Sequence, residues 1–161
     1  MSDKTTCQIC ARRIKAAKGV IAHHGYKRPG GGWQTGSCFG ARHLPYEVSC
    51  DVIPLAIANT ERQRERTVAA LEKLRTSPPD RMSYIKRGYD ASYRQTQTLV
   101  EVPRPDGFDP KTCRNNFISG SYVGLYLSAI KDDEFAIQDM TAFLKYLNER
   151  LANWKPVRTG G

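Results

Sequence analysis

Cys7-Gln8-Ile9-Cys10-Ala11-Arg12-Arg13, followed by His24-Gly25-Tyr26 and by Gly36-Ser37-Cys38-Phe39-Gly40, is the stretch on which the reading of this chain turns. Two cysteines two residues apart can present both sulfurs to one tetrahedral ion, at about 2.3 Å each for zinc, and a nearby arginine favours the thiolate that binds metal. One such pair leaves two ligand positions to fill. Thirteen residues separate Cys10 from His24, and thirteen separate His24 from Cys38. A glycine-centred hairpin over residues 25–36, turning at Gly30-Gly31-Gly32, would therefore carry His24 and Cys38 on its two arms. Two competing quartets share Cys7, Cys10 and Cys38: one ends in His43, the other is all thiolate and ends in Cys50.

The context of these cysteines favours a metal. Residues 1–50 are rich in Gly, Cys, His and aromatics and read as loops and short strands with little apolar material of their own. A segment of that size needs a staple to offset chain entropy. The polar start, Met1-Ser2-Asp3-Lys4-Thr5-Thr6, lacks the apolar stretch of a signal peptide, and no run approaches the roughly 18 apolar residues of a membrane span. The expectation is a cytoplasmic protein with no membrane partner. Thiols stay reduced there, so the five cysteines point to metal before disulfides. Cys113 stands alone in the second half and reads as a simple thiol. A thioredoxin-like redox role for Cys7 and Cys10 would need a strand–helix unit around them, which the pattern does not offer.

Outward from this segment the pattern becomes helical. Residues 51–76 read as one helix, with Asp51 as cap, Pro54 in the first turn, and Ile53, Ile57, Thr60, Thr67, Leu71 and Leu74 along one side. Ser77-Pro78-Pro79-Asp80 stops it. Over 81–113, Tyr84–Lys86 and Gln97–Val102 read as two short strands, and Pro103, Pro105, Gly107 and Pro110 mark a connection. From Asn116 to Trp154, Val123, Tyr126, Ile130, Asp133, Ile137, Met140, Leu144, Leu147, Leu151 and Trp154 keep a three-four alternation, the a/d seam of a coiled coil. The phase survives Lys131-Asp132-Asp133-Glu134, which predicts one continuous helix ended by Lys155-Pro156. The seam packs within the chain against residues 53–74, or in part against a second copy or another protein.

The fold class is thus α+β. A small zinc-stabilised, treble-clef-like or ribbon-like module over 1–50 precedes an antiparallel, coiled-coil-like helical hairpin over 51–161, with a small β-rich insertion at 81–113.

The chain carries a formal net charge of +9, and +6 of it lies in residues 1–50, against 0 over 51–80, +1 over 81–110 and +2 over 111–161. Such a segment suits a polyanion. Lys15, Lys18, Lys27, Arg28 and Arg42 offer phosphate contacts, and Trp33, Tyr26, Phe39 and Tyr46 offer flat faces, at least half of which a module this small needs for its own core. No two-histidine finger spacing and no other nucleic-acid signature is present.

The same residues carry a resemblance. Cys-x-x-Cys, then His24-Gly25-Tyr26-Lys27-Arg28-Pro29-Gly30, Gly32-Trp33, Gly36-Ser37-Cys38-Phe39-Gly40 and Pro45-Tyr46-Glu47, resembles a group of uncharacterised bacterial and phage or prophage proteins, more weakly as far as Ala152-Asn153-Trp154-Lys155-Pro156. The resemblance places His24 and Cys38 at steady positions, which implies Cys7, Cys10, His24 and Cys38 as the metal ligands. It implies a mobile-element setting, hence host cytoplasm if phage-encoded, and brings no activity with it.

The functional expectation is a non-enzymatic protein with one structural Zn2+ that binds nucleic acid or a nucleoprotein through Lys15, Lys18, Lys27, Arg28, Trp33 and Arg42. Its long helix would serve a homodimer or a partner protein. A second reading is a phage-type inhibitor or adaptor docking on a host complex such as polymerase, a nuclease or a defence assembly. A third is a metal-dependent nuclease in which His23 or His43 activates water beside Glu47 or Asp51, and this requires an open metal position that four protein ligands would close. The chain has no phosphate-binding Gly-Lys-Ser/Thr loop, no Gly-x-Ser-x-Gly elbow and no helical His-Glu-x-x-His.

Overall fold

The computed structural model describes residues 4–26, 35–113 and 120–155. The chain is α+β; among the described residues there are two long helices and three small antiparallel sheets, and the chain divides into two compact units: Met1–Gln63 with Met140–Gly161, and Arg64–Asp139.

In the first unit, β1 (Lys4–Thr6) pairs with β2 (Arg13–Ala17), which pairs with β3 (Val20–Ile21). The β2–β3 turn is Lys18-Gly19, with φ of 54° and 81°. Positive φ at both central residues is the geometry whose twist matches two antiparallel strands, and Gly19 adopts it without strain. A second hairpin pairs β4 (Gly25–Tyr26) with β5 (Thr35–Ser37). The core of this unit gathers Cys7, Ile9, Cys10, Ile21 and Cys38 with Val52, Ile53 and Ala56 from the start of α1 (Val52–Thr76) and Leu147 from the end of α2 (Tyr122–Ala152). The apolar material that residues 1–50 lack is supplied by the two helix ends.

The start of α1 is held by an unexpected residue. Gln8, with no exposed surface, accepts a hydrogen bond at Oε1 from the Val52 N–H (3.0 Å) and donates from Nε2 to Leu44 O (2.8 Å) and Asp51 Oδ1 (3.0 Å). The expected cap, Asp51, uses Oδ1 to accept from Gln8 and from Ser49 Oγ (2.5 Å). Gln8 therefore satisfies the first orphan N–H of the helix from outside it.

In the second unit, β6 (Arg81–Tyr89) and β7 (Gln95–Pro103) form one nine-residue-per-strand hairpin, longer than the two short strands the sequence predicts. Phe108 sets its ring edge-on to Tyr122 (5.0 Å) and Tyr126 (5.2 Å), and the Tyr122 hydroxyl donates to Pro79 O. Ser121 caps α2 by accepting the Gly124 N–H at 3.0 Å. The helix then runs unbroken through Lys131–Glu134, where Glu134 meets Arg75 of α1. The sequence start expected for this helix, Asn116, lies outside the described residues. Among the described residues no helix is long and apolar enough to cross a membrane.

Candidate metal centre

Local backbone geometry builds the site. Cys7 N–H donates to Arg12 O (3.0 Å) and Ala11 N–H donates to Cys7 O (3.2 Å), which folds Cys7–Cys10 into a tight knuckle between β1 and β2. Ala11 closes the turn at φ 56°, a left-handed conformation that costs a residue with a Cβ about 1 kcal/mol. On the opposite side Cys38 N–H donates to His24 O at 2.9 Å, extending the β4–β5 pairing by one rung. That rung fixes His24 and Cys38 side by side.

The four side chains converge. Cys7, Cys10, His24 and Cys38 are all buried, and their ligand atoms lie within 4.8 Å of one another. Cys7 Sγ stands 3.8 Å from Cys38 Sγ, and Cys10 Sγ stands 3.4 Å from His24 Nε2. His24 Nδ1–H donates to Ala22 O (2.8 Å), which leaves Nε2 as the bare nitrogen turned toward the sulfurs. Three sulfurs and an imidazole nitrogen in a space this small could hold a metal ion.

The sulfurs lie close enough to perturb one another. Hydrogen bonds from Cys38 and then Cys7 pull the Cys10 thiol well below its ordinary range, against burial and with help from the Arg12 N–H and His24. The same contacts raise the Cys38 thiol, through Cys10 first, and raise Cys7, through Cys10 and burial. Backbone N–H groups also point at sulfur: Cys10 and Ile9 toward Cys7, Gly40 toward Cys38. Amide donors of this kind stabilise thiolates.

A second layer steadies the knuckle from α2. Arg150 donates from Nε to Gln8 O (2.7 Å) and from Nη2 to Cys7 O (3.0 Å), and its guanidinium lies 3.7 Å from the centre of the Tyr46 ring. Tyr46 OH donates to Arg150 O (2.6 Å), and Trp154 Nε1 donates to Tyr46 O (2.6 Å). Glu47 accepts from Thr6 N–H (3.0 Å) and Thr6 Oγ1 (2.5 Å). Burial works against the Glu47 carboxylate, yet those bonds, with Arg150 nearby, hold it below the usual range. Tyr146 packs against the same core, and its hydroxyl is buried without a hydrogen-bond partner among the described residues.

The other expected residues fall as follows. His43 lies beside the ring of Phe39 (6.2 Å) and Cys50 packs at the edge of the core, so neither joins the cluster. His23 Nε2 pairs with Ser37 Oγ at 2.8 Å. Glu47 and Asp51 have their carboxylates engaged by Thr6 and by Gln8 with Ser49. Lys15, Lys18 and Arg42 are exposed, whereas Lys27, Arg28 and Trp33 lie outside the described residues. Tyr26 meets Phe143 edge-on (5.8 Å) and Tyr46 lies under Arg150, which makes both part of the core; Phe39 is exposed.

Gln8 and Arg150 carry no signal in the sequence, and Gly40 belongs to the quoted motif without a stated role. Gln8 occupies a free position of Cys-x-x-Cys, and Arg150 stands 143 positions beyond Cys7, the carbonyl it binds. Gly40 shows its reason only in three dimensions, where a Cβ would fall 2.5 Å from Cys7 Sγ. No family model matches the chain, and no curated protein and no solved structure shows a significant match.

Proposed function

We propose that this is a non-enzymatic zinc-binding protein whose metal-ordered amino-terminal head binds nucleic acid or a nucleoprotein. The observation that carries the reading is the closed set of Cys7, Cys10, His24 and Cys38. At a bond length of about 2.3 Å, the edge of a tetrahedral zinc–sulfur site is about 3.8 Å, which is the Cys7–Cys38 separation. Three thiolates and one imidazole suit the borderline-soft zinc ion, and four protein ligands leave no open position for a substrate, as in structural sites. Such a site carries one net negative charge, and the Arg150 guanidinium on the Cys7 and Gln8 carbonyls offsets it.

The finer architecture belongs to the same proposal. The head is treble-clef-like or ribbon-like, and the helices act as an antiparallel, coiled-coil-like hairpin that serves a homodimer or a partner. Lys15, Lys18 and Arg42 are exposed on the metal-bearing unit, and the concentration of positive charge in residues 1–50 supports phosphate contacts there. Engagement of Glu47 and Asp51 in structural hydrogen bonds speaks for binding over hydrolysis.

A salt titration tests this. Binding of labelled DNA and RNA should weaken steeply with ionic strength and weaken further in a Lys15→Ala, Lys18→Ala, Arg42→Ala variant. Binding of a protein partner that ignores both salt and these charges would replace the proposal by the inhibitor or adaptor reading. That reading draws on one observation in the second unit, an open groove in which Leu71, Phe135 and Ile137 are flanked by Arg75, Lys131, Glu134 and Gln138, with Phe135 largely exposed.

A further inference from the structure

The β6–β7 hairpin of the second unit has a base and a tip of different character. At its base Met82, Tyr84, Val100 and Val102 are half-buried and Arg81 pairs with Glu101 (2.8 Å). Beyond Tyr84 and Val100 the ribbon is exposed on both faces, apart from Gly88. Ile85 (59% exposed) sits opposite Leu99 (65%), Arg87 opposite Gln97, and Tyr89 (74%) opposite Gln95, all on one face because side chains alternate along a strand. Tyr93 in the turn is 90% exposed. Among the described residues no core claims these rings.

The tip is also basic. Lys86, Arg87 and Arg94 lie within it, Arg87 on the face of Tyr89 and Lys86 on the reverse of the narrow ribbon, where a strand wrapping its edge would meet it, and among the described residues none of their side chains has an ion-pair partner. Its one carboxylate, Asp90, is spent on the turn, where Oδ1 accepts from the N–H groups of Ser92 (2.8 Å) and Arg94 (2.9 Å). This turn holds Tyr93 at φ 57°, a conformation costly for an aromatic residue, and thereby presents its ring outward.

We infer that the distal half of this hairpin is a second nucleic-acid-binding element that takes a single strand, with Tyr89 and Tyr93 stacking on bases and Lys86, Arg87 and Arg94 contacting phosphates. The pairing of free cations with open aromatic faces is the chemistry of strand-tracking surfaces, since every base has a face to stack while a duplex keeps its bases covered. Only the class of partner is shared with the proposed function; the surface is a different one and stands or falls separately.

The test is fluorescence anisotropy on the full-length, zinc-loaded protein, with a labelled oligothymidylate of about 20 nucleotides and a duplex of equal length. The Tyr89→Ala, Tyr93→Ala variant should lose about tenfold in affinity per tyrosine for the single strand. The Lys86→Ala, Arg87→Ala, Arg94→Ala variant should show a logarithmic salt dependence shallower by about 2. These side chains are exposed, and circular dichroism of both variants should match the wild type.

Wild-type affinity in both hairpin variants, with loss only in the Lys15→Ala, Lys18→Ala, Arg42→Ala variant, overturns the hairpin element and leaves the head reading intact. Loss in the hairpin variants alone supports the element and removes the head reading. Equal or tighter duplex binding that ignores the tyrosines overturns the single-strand assignment. So does a wild-type dimer that the hairpin substitutions dissociate while oligonucleotide binding is unchanged. Absence of any nucleic-acid binding by the wild type overturns both readings.

Discussion

Gln8 joins the knuckle to the first helix, and no apolar side chain can take its place. Its amide satisfies Val52 N–H, Leu44 O and Asp51 Oδ1 from a fully buried position. Gln8→Ala leaves the buried Val52 N–H without its partner, at a cost of about 1–3 kcal/mol in thermal or urea unfolding, while the exposed Leu44 and Asp51 can turn to water. Gly40 is constrained by space. Its substitution by alanine drives a Cβ against Cys7 Sγ and the backbone of Ile9, so Gly40→Ala should weaken metal affinity at least tenfold in a competition titration with a chelator, whereas Gly36→Ala, with open space around it, should not. Glu47 gives a pH signature. Its carboxylate is held below the ordinary value of about 4.3, so its stabilisation is complete above that pH and disappears as pH falls through the lower folded value. Melting temperatures of wild type and Glu47→Gln should differ by a constant amount from pH 7 to about pH 5 and converge in more acidic buffer.

Among the elements, the two helices are the most legible in the sequence, because a three-four apolar rhythm and strong stops are local and need no tertiary contact to be seen. Residues 52–76 end where Ser77-Pro78-Pro79 forbids continuation, and α2 crosses its charged middle without a break. At the start of α1, Asp51 has the cap residue type, but the bond to Val52 comes from Gln8, 44 positions away. The hairpin was underestimated because its distal half is exposed on both faces, so it shows none of the apolar–polar alternation that marks a half-buried strand. The β2–β3 turn has half of its signal in Gly19, which suits positive φ, whereas Lys18 adopts the same conformation without the residue type that announces it. At the other end of the long helix, Ser121→Ala should cost about 1 kcal/mol by removing the acceptor for the Gly124 N–H, measurable as a lowered unfolding midpoint in urea.

For the molecule as a whole, the candidate metal centre and the core of the first unit are one object. Cys7, Cys10 and Cys38 are core residues in the same cluster as Ile9, Ile21, Val52, Ile53 and Leu147, so the interior of this unit is partly apolar contact and partly ligand geometry. Spacing could place cysteines and histidines near one another, and it left His24, His43 and Cys50 as rivals. What separates them is the β4–β5 ladder, which sets His24 beside Cys38, and the Ala22 carbonyl, which fixes the tautomer of the ring. Neither is visible in a linear string. Because three thiols in close quarters must each give up a proton to bind a divalent ion, the ion should be released in acid, and the unit should lose its order with it.

Native mass spectrometry of the purified protein, read beside circular dichroism before and after exhaustive chelation, tests this account most directly. It predicts one zinc ion per chain, its loss on chelation together with the ordered signal of the first unit, and recovery of both when zinc alone is returned. A chain that carries no metal as purified, takes up none when zinc is added, and keeps its spectrum and melting temperature unchanged in chelator would contradict it.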